Sequence, residues 1–201
     1  MTAQINDHFQ YQDESYNVAG ISEGELFDPA VLELKPVGTC SACWRGYCVE
    51  YGLVDRHLAV INLHVNLYEE GKDYQRLQGP AINDVVPTDA QKQHDWFNNH
   101  YEKIHFHLEY SGGLLLAKDF IQELYVHMGF HPAWKYEKVR ELVFENGILV
   151  GDYDRSEKMA EIRDMVSGDG PNDGPSGMPS DQDIRTFVEQ AFDRTYPMGW
   201  L

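Results

Sequence analysis

The stretch Trp44–Val65, with the sequence WRGYCVEYGLVDRHLAVINLHV, indicates which kind of fold this chain adopts. Its first half alternates between two faces, as an extended strand with a two-residue repeat does. One face of that strand carries Arg45, Tyr47, Val49 and Tyr51. Gly52 and Asp55 permit a turn, and the β-branched run from Leu58 to Val65 then predicts a second strand. We therefore predict an antiparallel hairpin in this stretch.

Strand patterns continue on both sides of this hairpin. The further candidates are SYNVAG (15–20) as a short edge strand, IHFHLEY (104–110) as the most regular alternation, LLLAKDF (114–120) and QELYVHMGF (122–130). VRELVF (139–144) and ILVGDY (148–153) flank Asn146-Gly147, a dipeptide that is typical of two-residue hairpin turns. Because the strands follow one another without helical crossovers, we expect them to pair antiparallel.

The predicted fold class is mainly β (α+β): an antiparallel rolled sheet or open barrel with one or two C-terminal helices. We expect residues 1–153 to form the β-rich domain and residues 154–201 a helical appendage. Asp154 and Glu157 have the spacing of a capping box at the start of a helix, and a Gly/Pro-rich linker occupies 167–180. A last helix is expected to pack back on the domain through an apolar stripe of Ile184, Phe187, Val188, Ala191 and Phe192.

The net charge of −17, from 33 acidic and 16 basic residues, limits the partners that the chain can bind. Phosphate backbones are bound through clustered Lys and Arg, so we expect no nucleic acid and no anionic membrane as a partner. The first residues lack a signal-peptide pattern, and no apolar run approaches membrane-spanning length. With an odd count of three cysteines, these features favour a cytoplasmic protein.

Cys40 and Cys43 form a Cys-x-x-Cys pair, with Cys48 close by. Such a pair is half of a structural zinc site, and the second half is missing from the sequence. A redox pair normally lies at a helix N-terminus, whereas this region has a strand pattern. We therefore favour ordinary buried thiols, with metal binding and redox chemistry as alternatives.

His105, His107 and Glu109 alternate along the predicted strand 104–110, so their side chains are expected to point the same way. Two imidazoles and a carboxylate on one face can bind a divalent metal, and His127 could join them. The alternative is a solvated strand face on which these residues are merely polar. We favour the solvated face and keep the metal site as the second interpretation.

Arg45 lies in an aromatic strand, where it must stack on a ring, pair with a carboxylate, reach solvent or bind an anionic ligand. We favour a structural role for it. Aromatic and arginine side chains also concentrate binding energy at interfaces. The candidate ligand-binding surface is therefore Trp44, Arg45, Tyr47, His127, Phe130 and Trp134.

The sequence contains no nucleophile elbow, P-loop, dinucleotide fingerprint or HExxH motif. Between Leu26 and Val150, the stretches ACWRGY, LYVHMGF and FENG resemble bacterial proteins of unknown function that share these motifs. That resemblance implies a shared β-rich domain and transfers no catalytic residue.

We expect a non-catalytic cytoplasmic binding or interaction protein, with a protein partner or a small ligand and no cofactor. The alternative function is a metal-dependent enzyme that uses a divalent metal on the His-x-His-x-Glu face.

Overall fold

A computed structural model describes residues 2–72, 75–89, 96–168 and 192–198 of the chain. Within these residues the chain is mainly β-sheet, with three short 3₁₀ turns and one α-helix. The elements are β1 His8–Tyr11, β2 Glu14–Ile21, β3 Tyr47–Val54, β4 His57–Val65, β5 Asn99–Tyr101, β6 Phe106–His107, β7 Gly112–Phe120, β8 Tyr136–Glu145, β9 Ile148–Asp154 and α1 Ser156–Gly168. The 3₁₀ turns are Pro29–Leu32, Gln122–Leu124 and Ala133–Lys135.

The strands form a single sheet in the order β3-β1-β2-β7-β8-β9-β4-β5, with β6 also paired to β4. Because β3 also pairs with β4, the sheet returns on itself as a ring. The ring is not a barrel, since β4 and β9 meet through a single residue pair, His57 and Ile148. Neighbouring strands are antiparallel except β1 and β3, which are parallel. The predicted mainly β class with an antiparallel rolled sheet is confirmed.

The two predicted hairpins are confirmed, and their turns explain why they form. β3 and β4 are joined by Asp55 and Arg56, whose φ angles are 50° and 68°. β8 and β9 are joined by Asn146 and Gly147, with φ angles of 48° and 77°. Two consecutive left-handed residues match the twist of paired strands, so both turns set the register of their hairpins.

Both faces of the sheet are covered where β2, β7 and β8 lie side by side. In β7, Leu114 and Leu116 point into the larger core cluster inside the ring, while Leu115 and Ala117 point into a smaller cluster outside it. Burial on both faces explains why β7 reads as a continuous apolar run rather than an alternating one. The outer cluster comprises Ala19, Leu115, Ala117, Ala133, Tyr136, Val139, Met159 and Tyr196.

Helix α1 covers the outer face of the sheet, and Met159 is its buried anchor. The helix begins at Ser156, two residues after the predicted cap Asp154, whose Oδ1 accepts a 2.9 Å hydrogen bond from the Ser156 backbone N–H. In the described residues, no helix has both the length and the apolar character needed to cross a membrane. Of the predicted linker at 167–180, residues 167 and 168 belong to α1, and residues 169–180 lie outside the described residues. The predicted last helix also lies outside them, apart from Phe192 at its end.

Residues 192–198 return to the outer face and extend the sheet locally. The Ile21 backbone N–H donates to the Arg194 carbonyl at 2.9 Å, and the Tyr196 N–H donates to the Ile21 carbonyl at 3.2 Å. The Tyr196 hydroxyl donates a 2.9 Å hydrogen bond to Glu141, a buried carboxylate on β8. The segment therefore occupies the edge of β2 beyond the residues that pair with β1.

Four strand predictions need correction. The segment 104–110 is a strand only at Phe106–His107, because His105 has a φ of 47° that interrupts it. The segment 122–130 is not a strand and contains the 3₁₀ turn Gln122–Leu124. β3 begins at Tyr47, not Trp44, since residues 41–45 form turns. β2 is not an edge strand, because it pairs with both β1 and β7.

Candidate functional site

A cleft of about 380 Å³ lies on the outer face of the sheet, between α1, the segment 126–135 and residues 193–196. Its floor is formed by Ala19, Gly20 and Leu115, from β2 and β7. Small side chains at two of these three positions leave a hollow that larger residues would fill. The outer walls are apolar and comprise Val126, Met128, Phe130, Trp134, Met159 and Ile162.

Lys135 is the most unusual residue of this cleft, because it is a buried cation. It ends the 3₁₀ turn Ala133–Lys135 and is only 8% exposed. Its ammonium lies 5.3 Å from the centre of the Trp134 ring, and no described residue accepts a hydrogen bond from it. Burial lowers the pKa of Lys135, as expected for a cation removed from water. Buried lysines are normally paired with a carboxylate, so this one is an exception.

His131 lies beside Lys135 in the same wall. Its ring packs between Phe120 and Tyr125, with ring centroids at 4.7 and 5.2 Å. Both ring nitrogens are buried and have no hydrogen-bond partner in the described part of the chain. Burial, followed by the charge of Lys135, lowers the pKa of His131 to about 4. The imidazole is therefore neutral near pH 7 and behaves as an aromatic packing group.

An ion triad of Asp7, Arg45 and Arg194 lies next to the cleft. Arg45 donates two hydrogen bonds to Asp7, at 2.8 and 2.9 Å, and Arg194 donates a third at 3.2 Å. The Val49 backbone N–H donates a fourth, at 3.0 Å. Burial alone would raise the pKa of Asp7, but the guanidinium groups and these hydrogen bonds hold it below the ordinary value. The carboxylate is thus ionised and fully coordinated.

Phe130 connects the ion triad to the cleft. Its ring lies 5.8 Å from the Arg45 guanidinium and 4.5 Å from that of Arg194. Arg45 is also 4.7 Å from the centre of the Tyr47 ring. Arg45 therefore combines carboxylate pairing with aromatic stacking, and both of its terminal nitrogens are occupied by Asp7. This arrangement supports the structural role favoured for Arg45 over recognition of an anionic ligand.

The six residues of the predicted ligand-binding surface lie in different places. Phe130 and Trp134 line the cleft, whereas Arg45 and Tyr47 line a smaller neighbouring pocket of about 250 Å³. Trp44 is 52% exposed, and its ring stacks on Phe192 at 4.7 Å. His127 is exposed and shares a 2.9 Å hydrogen bond with the Tyr125 hydroxyl.

The predicted metal ligands His105, His107 and Glu109 are exposed. The left-handed backbone at His105 interrupts the strand, and His107 stacks on His57 with ring centroids 5.5 Å apart. Across the described ranges, no three His, Cys, Asp or Glu side chains are placed to hold a metal ion. The structure lends the metal site no support, and it stays a prediction.

The three cysteines are free thiols. The thiols of Cys43 and Cys48 are buried, and each donates a 3.3 Å hydrogen bond to a backbone carbonyl. Burial raises the pKa of Cys43, and it raises that of Cys48 to about 12. Reactive cysteines need a lowered pKa, so these two have the properties of the packing thiols that the sequence favoured.

The sequence does not indicate the residues that distinguish this site, namely Asp7, His131, Lys135 and Arg194. Lys135 and Lys138 both lie in the polar stretch WKYEK, yet Lys138 is exposed. Lys135 ends a 3₁₀ turn that packs against α1, where Arg163 donates to the carbonyls of Trp134 and Tyr136 on either side of it. Comparison of the chain with protein-family models, with curated proteins and with solved structures finds no match.

Proposed function

We propose that this chain is a non-catalytic binding protein, and that it holds a small molecule with an apolar body in the cleft. The single observation that carries the proposal is the cleft itself, which is concave and has mainly apolar walls. Small-molecule sites are clefts of about 300–1,000 Å³ with apolar walls and a few polar groups. At about 380 Å³, this cleft suits a small ligand.

The construction of the cleft also favours binding over catalysis. Of its titratable groups, Lys135 and His131 make no hydrogen bond within the described residues, whereas Asp193 accepts from the Thr195 N–H, Arg194 donates to Asp7 and Tyr196 donates to Glu141. None of these described contacts joins two titratable groups of the cleft to each other for proton transfer. The thiols of Cys43 and Cys48 are poor nucleophiles because burial raises their pKa. The free thiols and the strongly acidic composition suit a protein of the reducing cytoplasm, without nucleic acid as a partner.

The proposal can be tested by titrating the protein with Nile red, an uncharged fluorophore that brightens in apolar sites. The wild-type chain should bind it saturably. In Ile162→Trp, an indole from α1 fills the cleft, so we expect at least tenfold weaker binding. Val166→Trp is the matched control, because Val166 lies one turn further on the same helix, is exposed, and should leave binding unchanged.

A second blocking variant, Ala19→Phe, fills the cleft from its floor. Circular dichroism and the urea midpoint establish that each variant is folded. Saturable binding that survives in a folded Ile162→Trp or Ala19→Phe protein would place the ligand elsewhere. Absence of saturable binding by the wild-type chain would refute the proposal.

A further inference from the structure

The charge distribution at the cleft is opposite to that of the whole chain. The sequence has twice as many acidic as basic residues, yet no described carboxylate pairs with Lys135. A buried cation without a counter-charge costs free energy, because desolvation penalises the charged form. Apolar side chains of similar length would avoid this cost, so the structure keeps an ammonium where packing alone does not require one.

A second cation lines the same cleft. Arg194 donates through one terminal nitrogen to Asp7 at 3.2 Å and to the Val18 carbonyl at 3.4 Å. No described acceptor is bonded to its other terminal nitrogen. Asp193 is the acidic residue among the described lining residues, but it is exposed and its Oδ1 accepts a hydrogen bond from the Thr195 N–H. The interior of the cleft is thus apolar and cationic.

We propose that the ligand is an amphipathic monocarboxylate, whose carboxylate pairs with the Lys135 ammonium while its hydrocarbon body lies on Ala19, Gly20 and Leu115. This inference rests on the proposed function and names the class of ligand. One unpaired ammonium supplies the counter-charge for one carboxylate, and a charge-assisted hydrogen bond is stronger than one between neutral groups. The apolar floor and walls accept an alkyl chain or an aromatic ring.

The position of Trp134 allows ligand binding to be followed by tryptophan fluorescence. Its ring centre lies 5.3 Å from the Lys135 ammonium, so a carboxylate bound there comes close to the indole. Ligand binding should therefore change the tryptophan fluorescence. The change should disappear in Trp134→Phe, while the tryptophan control Trp44→Phe retains it, because Trp44 does not line the cleft.

The experiment compares decanoate, 1-decanol and decyltrimethylammonium as competitors of Nile red. These three molecules share an alkyl chain and carry a negative, neutral and positive head group. We expect decanoate to bind about tenfold more tightly than decanol, the ratio that one favourable charged hydrogen bond supplies. Decyltrimethylammonium should bind most weakly.

Lys135→Met tests the assigned residue, since methionine keeps the length and apolar character of the side chain. This variant should bind decanoate and decanol equally. Lys135→Arg should keep the preference for decanoate, and so should the control Lys138→Met, which removes an exposed lysine from β8. Because burial disfavours the charged form of Lys135 and no described carboxylate offsets that cost, we expect Lys135→Met to fold at least as stably as the wild-type chain.

The outcomes separate the two proposals. If decanol and decanoate bind equally to the wild-type chain, the ligand class is wrong and the binding function stands. A decanoate preference that survives in Lys135→Met also overturns the assignment. If none of the three competitors displaces Nile red, and Nile red itself does not bind saturably, the proposed function fails.

Discussion

Acid should destabilise this protein through His131 before most carboxylates are protonated. The imidazole is 8% exposed, and neither ring nitrogen has a hydrogen-bond partner in the described residues. Folding therefore favours the neutral ring, and burial together with the charge of Lys135 lowers its pKa from 6.5 to about 4. A group with a lowered pKa of this kind leaves stability intact above pH 6.5. Stability is lost as the pH falls from 6.5 towards 4.

The size of the effect follows from these two pKa values. At pH 5 the imidazole is about 97% protonated in the unfolded chain and about 9% protonated in the folded chain. Protonation of His131 therefore raises the unfolding equilibrium constant at pH 5 by a factor of about 30 relative to neutral pH. This lowers the free energy of unfolding by about 2 kcal/mol. This is a substantial share of the ~5–15 kcal/mol by which domains are stable.

The assay is urea unfolding at pH 7.5 and pH 5, for the wild-type chain and for His131→Phe. Phenylalanine can take the place of the ring between Phe120 and Tyr125 and has no nitrogen to leave unpaired. Between pH 7.5 and pH 5, the free energy of unfolding of this variant should fall by about 2 kcal/mol less than that of the wild type. The control is His127→Phe, which removes an exposed imidazole four residues earlier. Its free energy of unfolding should fall as much as that of the wild type. A difference below about 0.5 kcal/mol between wild type and His131→Phe would refute the reasoning.

Three other perturbations test the fold. Asp7→Asn leaves two arginines without their counter-charge and should lower the free energy of unfolding by about 3–5 kcal/mol, measured in urea. Gly147→Ala should lower the free energy of unfolding by about 1–3 kcal/mol more than Gly71→Ala, although the two glycines have nearly equal φ angles of 77° and 76°. An added Cβ clashes with the Leu108 carbonyl at Gly147 and meets nothing at Gly71, so equal costs would contradict the packing. Iodoacetamide at pH 8 should label Cys40 alone in the native protein, and mass spectrometry that finds rapid labelling of either buried thiol would contradict its burial.

The hairpins could be predicted because their signals are local. Asn146-Gly147 supplies left-handed backbone within two residues, and the alternation of Val49 and Tyr51 gives the strand face directly. The segment 104–110 has an equally regular pattern, yet most of it is not a strand. Ile104 and Leu108 do donate to β4 carbonyls, at 2.9 and 3.0 Å, but the left-handed turn at His105 separates the two contacts. The Asn83 side chain donates to the Ile104 carbonyl at 2.9 Å beside this turn, and such a contact across 21 positions has no signal in the local pattern.

The candidate site was less predictable, because its chemistry depends on distant residues. Arg45 stands out in its aromatic strand, but its partner Asp7 lies 38 positions earlier in a segment without a strong pattern. Lys135 looks like any surface lysine of a polar stretch. It is buried in a turn against α1, whose Arg163 donates to the neighbouring Trp134 carbonyl. Sequence periodicity indicates which side of a strand or helix a side chain lies on. It does not indicate which distant segments pack against that side.

The wall of the cleft formed by residues 193–196 is held by two buried carboxylates. Asp7 binds Arg194 at one end of this segment, and Glu141 accepts the Tyr196 hydroxyl at the other end. Between them, backbone hydrogen bonds to Ile21 fix the segment along the edge of β2. Asp7 is also paired with Arg45, and Glu141 is also paired with Arg155, so the described partners of both carboxylates do not include Lys135. Neither Asp7 nor Glu141 lines the cleft. Lys135, which lines the cleft, keeps no described counter-charge, and its ammonium is the group that we assign to the carboxylate of the ligand.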